Sequence, residues 1–139
     1  MWRYVALLLT ALFTLQVQAS DLPPAFKAHY VVKKGPFKLG SSVRELRQGE
    51  NVELIFYSAS ESSGFVSLLF SEDIQETSRL RQDGERIVPL EYQYQREGRR
   101  NRTISQRFDW QSGNVTSKVN ETVYEFALHP DALDQSGYQ

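Results

Sequence analysis

The sequence predicts a mostly β protein: an antiparallel meander forming a curved sheet or half-barrel, preceded by a cleavable signal helix. Three observations lead there. Apolar residues recur at every second position over short stretches, the signature of strands with one covered face. Turn residues, many of them glycine, punctuate those stretches at short intervals. Finally, Tyr and Phe are plentiful, with 7 and 8 copies in 139 residues, and together with β-branched residues they favour strands.

The elements follow in order. Arg3, the apolar run Tyr4–Leu15 and Val17-Gln18-Ala19 have the layout of a secretory signal peptide, cleaved between Ala19 and Ser20. That run is well short of the roughly 20 residues of a membrane-spanning helix, so no stable span is expected in the mature form. Residues 20–139 are then one β-rich domain. Asp21-Leu22-Pro23-Pro24 is an irregular lead-in. Phe26, Ala28, Tyr30 and Val32 form one face of a first strand, opposite Lys27, His29 and Lys33. Gly35-Pro36 and Gly40 bracket a turn. A more polar strand runs from Ser41 to Gln48, and Gly49-Glu50-Asn51 turns the chain. Val52, Leu54 and Phe56 alternate with Glu53, Ile55 and Tyr57. Ser58–Ser63 reads as a loop, and Phe65–Phe70 as either a helical turn or a buried strand.

Ile74–Arg81 is the next strand, with Arg79 and Arg81 outward, and Asp83-Gly84 signals a hairpin. Val88, Leu90, Tyr92 and Tyr94 share a face opposite Glu91, Gln93 and Gln95. Pro89 cannot donate to a ladder, so this strand is expected to begin late or to lie partly at an edge. After Glu97-Gly98-Arg99, Ile104, Phe108 and Trp110 face inward. Ser112-Gly113-Asn114 turns the chain into Val115–Val119 and Thr122–Leu128. Pro130 ends the series, and Asp131 reads as the cap of a C-terminal helix.

Composition narrows the function classes. There is no cysteine, hence no disulfide, no thiolate nucleophile and no thiolate zinc site. A net charge of −1 argues against nucleic acid as the partner, which calls for clustered positive charge. No Gly-x-Ser-x-Gly elbow or phosphate-cradling glycine loop is present. His29 and His129 are far apart and lack ligand spacing, so no metal or cofactor is expected. Glu72, Asp73 and Glu76 read as a solubilising patch, and no catalytic residue is assigned.

Arg96, Arg99, Arg100 and Arg102 cluster at a hairpin tip, either a solvated turn or a contact for anionic lipid headgroups or an acidic partner. Asn101, Asn114 and Asn120 stand in Asn-x-Ser/Thr sequons, which turn and strand preferences also produce without glycans. The aromatic set Tyr30, Phe56, Tyr92, Tyr94, Phe108 and Trp110 falls on one face. It is either ordinary core or the wall of an apolar ligand site.

The order of landmarks resembles the DUF3108 family of bacterial exported proteins. These are Phe26-x-Ala28-x-Tyr30, the Gly40 turn, Ser63-Gly64-Phe65 before Leu69-Phe70, and Glu76-x-Ser78. Asp83-Gly84 leading into Pro89-Leu90-x-Tyr92 follows, then Phe108-Asp109-Trp110 with a turn and Val115. The resemblance covers about Phe26 to Tyr138. It implies a periplasmic, β-rich half-barrel with no established catalytic residues, and a sheet incomplete at its C-terminal side, because such proteins continue beyond this region. The functional expectation is an envelope protein without catalysis that binds a lipid or other apolar ligand on the concave face. The alternative is a protein–protein adaptor of the cell envelope using an open sheet edge.

Overall fold

The computed structural model describes residues 23–51, 53–69 and 71–135. The signal segment 1–19, its Ala19/Ser20 junction, Val52 and Phe70 lie outside the described residues. Eight strands follow one another, β1 (Phe26–Lys34), β2 (Phe37–Gln48), β3 (Glu53–Ser62), β4 (Glu72–Asp83), β5 (Arg86–Gly98), β6 (Arg102–Asp109), β7 (Asn114–Val119) and β8 (Thr122–Ala127). All pair antiparallel with their sequence neighbours in a single sheet ordered β1 to β8. One short helix, α1 (Phe65–Leu69), interrupts the series between β3 and β4. The expected meander is therefore the fold.

Register sorts the side chains by face, because directly opposed residues of an antiparallel pair point the same way. Phe26 opposes Leu46, Leu46 opposes Phe56, and Leu54 opposes Leu80. On the same face Ser78 opposes Tyr92, Tyr94 opposes Ile104, Phe108 opposes Val115, and Val115 opposes Phe126. Period-2 patterning has thus gathered apolar residues of all eight strands on one face, with polar side chains such as Arg44, Glu76 and Gln106 among them. Its core is small: Leu46, Leu54 and Leu80 are buried, with Phe56 against them. Each such leucine contributes roughly 1.5–3 kcal/mol by leaving water.

The other face is held by charge. Lys27 pairs with Glu45 at 3.2 Å, and Arg47 with the same carboxylate at 3.0 Å. Arg79 sits between Glu53 and Glu91, 3.1 Å from each, and Arg107 approaches Glu91 at 3.7 Å. Apart from the Arg47–Glu45 pair within β2, these links run from strand to strand across the sheet.

Four expectations are corrected. Ser58–Ser62 is not loop but the second half of β3, opposed to Gly40–Arg44 and to Asp73–Glu76. Small polar residues serve there because the Ser60 hydroxyl donates to Ser42 at 2.9 Å across the pair. Gly40 does not bracket the turn, which is Gly35-Pro36; it lies within β2, where a Cβ would come within 2.5 Å of the Glu61 carbonyl oxygen. Pro89 neither delays β5 nor lies at an edge: β5 is central and starts at Arg86. The register shifts between Arg79 and Leu80 so that Leu80 opposes Pro89, a bulge that absorbs the missing donor. Lastly, Asp131 caps no helix among the described residues. The chain after β8 is irregular and returns to β5, where Arg86 donates to the Pro130 carbonyl at 3.1 Å.

Candidate functional site

The apolar face is covered unevenly, and that unevenness defines the candidate site. Near its middle, Tyr92 is 2% exposed, and Pro89, Phe108 and Ser78 of the same face are buried. The returning C-terminal segment provides part of the cover, with Gln135 Oε1 3.2 Å from the Tyr92 hydroxyl. That hydroxyl also donates to Glu76 at 2.8 Å. Burial first, then the Glu76 carboxylate, push the phenol pKa well above its ordinary value. Trp110 stands in the turn after β6 and donates its indole N–H to the Pro89 carbonyl at 2.6 Å, satisfying the carbonyl at the bulge.

Towards both edges the same face is open. Phe26 and Tyr30 on β1 are 46% and 50% exposed; Tyr124 and Phe126 on β8, their rings stacked 6.2 Å apart, are 46% and 55% exposed. Of the aromatic set, Tyr30, Phe56, Tyr92, Tyr94 and Phe108 therefore share the apolar face by register. Tyr92 and Phe108 are core, Phe56 and Tyr94 are half-buried, and Tyr30 is exposed. Tyr124 and Phe126 were absent from the set, although their alternation in Thr122–Leu128 carried the same signal.

A shallow recess of about 240 Å³ lies on this face between Val32, Gly40, Ser60 and Ile74, and two larger ones lie elsewhere. A hollow of about 330 Å³ between β4 and β7 is lined largely by polar side chains such as Gln75, Thr77, Gln93 and Lys118. An apolar groove of about 670 Å³ lies at the β1–β2 tip, between Pro36, Phe37, Leu39 and Phe65. Sequence reasoning missed this groove; its signal is the apolar pair of Pro36 in the turn and Phe37 just after it, where polar residues are usual.

The remaining candidates separate. Register places Glu76 on the apolar face and Asp73 on the other, so the acidic group does not converge. His29 and His129 lie at opposite edges of the sheet, in β1 and just beyond β8. No group able to hold a metal ion occurs among the described residues. Two sequon asparagines do turn work: Asn101 accepts from the Gly98 N–H at 3.1 Å and Asn120 from the Thr103 N–H at 3.0 Å. Asp109 holds its turn likewise; the Ser112 N–H is the main cause of a carboxyl pKa below the ordinary value. No helix among the described residues is long and apolar enough to cross a membrane.

No curated protein and no solved structure matches this chain. A family model described as protein of unknown function (DUF3108) matches residues 26–138. The chain belongs to the DUF3108 family.

Proposed function

We propose that this is an exported, non-catalytic protein of the bacterial periplasm that binds an acyl chain or similar apolar ligand against the apolar face of its sheet. The observation that carries the reading is the uneven cover of that face. Its centre is closed around Tyr92, whereas Phe26, Tyr30, Tyr124 and Phe126 remain open on either side. An exposed apolar surface of this kind marks a binding surface more often than an ordinary exterior. Native mass spectrometry of the protein extracted gently from its host, then titrated with palmitate, tests it. An adduct or saturable uptake, weakened by Tyr124→Glu, supports the reading; a bare polypeptide mass throughout overturns it. Export is checked by fusing alkaline phosphatase to the C-terminus, which becomes active only outside the cytosol.

A second reading, an envelope adaptor, draws on β8. This edge strand is exposed along its whole length, and an open edge can accept a strand from a partner. Cross-linking in the host separates the two, since an adaptor gives a discrete hetero-complex.

A further inference from the structure

We propose that one end of the sheet docks on an anionic lipid surface, with the β1–β2 tip and α1 as its apolar contact. In a meander every odd-to-even connection falls at the same end, so the β1–β2, β3–β4, β5–β6 and β7–β8 turns lie side by side there. Connections two strands apart are spaced roughly 10 Å.

The first two of these turns are apolar and bare. Phe37 is 68% exposed, Phe65 72% and Leu68 80%. Basic side chains flank the first and third tips, Lys33, Lys34 and Lys38 at the first and Arg96, Arg100 and Arg102 beside Glu97 at the third, while Glu61, Glu72 and Asp73 flank the second. None of these six basic residues makes an ion pair among the described residues.

Register sharpens the point. Lys33 directly opposes Lys38, and Arg96 directly opposes Arg102, arrangements of like charge that weaken a strand pair. Elsewhere the sheet sets Lys27 against Glu45 and Arg79 against Glu91. The acids of this end are segregated: Glu61, Asp73 and Glu97 oppose one another across β3, β4 and β5 on the charged face. Arg96 and Arg102 share the apolar face with Tyr94 and Ile104. Glu72 opens β4, and Glu121 is drawn to Lys118 at 3.7 Å. The turns at the far end carry Glu50, Asp83, Glu85 and Asp109, and Asp131 there is paired with Arg86 at 3.6 Å.

Exposed aromatic and leucine side chains ringed by uncompensated lysine and arginine match an interface of headgroup phosphates above acyl chains. The far end would be repelled from it, so orientation is fixed by charge.

The test is co-sedimentation of the full exported chain with phosphatidylcholine vesicles, with and without added phosphatidylglycerol. Binding is expected only to the anionic vesicles and is expected to weaken as salt is raised. Lys34→Glu with Lys38→Glu is expected to lower partition at least about fivefold for each residue. Phe37→Ser with Phe65→Ser lowers it by on the order of tenfold or more. All four residues are exposed, and far-UV circular dichroism verifies that the variants fold. Absence of binding, equal binding to neutral vesicles, or variants that bind like the wild type would overturn the proposal. So would full competition by soluble glycerol phosphate, which would indicate a headgroup pocket instead of a surface. Palmitate uptake is followed in parallel, so failure of the docking end and failure of the apolar face read out separately.

Discussion

The hydroxyl of Tyr92 donates to Glu76 at 2.8 Å, tying the most buried aromatic of β5 to a half-buried carboxylate on β4. Tyr92→Phe keeps the ring and removes this bond. A loss of about 1–2 kcal/mol in unfolding free energy is expected by urea titration at neutral pH. The raised phenol pKa also fixes a pH dependence. The folded chain holds the proton more tightly than the unfolded chain. The associated stability is therefore intact below the ordinary value of 10.0 and is lost as pH rises beyond it. Wild type should lose stability above about pH 10 more steeply than Tyr92→Phe; equal slopes would refute the linkage.

Ser78 lies between Phe56 and Tyr92 with no exposed surface, and its hydroxyl has no hydrogen-bond partner among the described residues. An unsatisfied buried hydroxyl is costly. Ser78→Ala should raise the urea midpoint, by a gain on the order of 1 kcal/mol, and a clear loss would mean that the hydroxyl is satisfied in solution.

Two glycines separate steric from conformational need. Gly40 has a strand neighbour where its Cβ would stand, with Glu61 O at 2.5 Å, whereas Gly84 has open space but a φ of +64°. Gly40→Ala should cost about 2–3 kcal/mol through forced backbone movement. Gly84→Ala should cost about 1 kcal/mol for the left-handed conformation alone. Thermal melts that rank them the other way would contradict the close approach of β2 to β3.

Arg79 bridges two strands, yet its side chain is 43% exposed. Arg79→Ala should therefore cost no more than about 1 kcal/mol, shrinking in high salt. Arg81→Ala, which breaks no ion pair among the described residues, is the control and should stay within about 0.5 kcal/mol. A larger, salt-insensitive loss at Arg79 would assign it a packing role instead.

Alternation made the strands legible wherever apolar residues marked every second position, as in Phe26–Val32, Leu54–Phe56 and Tyr92–Tyr94. It breaks at the β5 bulge, where Val88 opposes Arg81 of the charged face instead of sharing the face of Tyr92. The pattern fails where polarity and structure part company. Ser58–Ser62 looks like loop because serine is common in turns, but its ladder bonds are backbone bonds and ask nothing of the side chain. Pro89 argued for an edge because it lacks a donor, and only the shifted register at Leu80 shows how a central strand accommodates it. Asp131 had the chemistry of a helix cap without the tertiary contacts that decided its path. The aromatic set was legible as one face; which members are covered was not, since cover around Tyr92 comes from a segment about forty residues downstream that touches it through Gln135. The tip at Phe37 was hidden for a related reason, because its neighbour Phe65 belongs to another connection.

Because each strand meets only the one before and the one after it, the chain can acquire its structure as successive local hairpins. No distant segments have to find each other first, so loop-closure entropy stays small at each step. A growing polypeptide can thus lay down its sheet strand by strand, in the order of its synthesis.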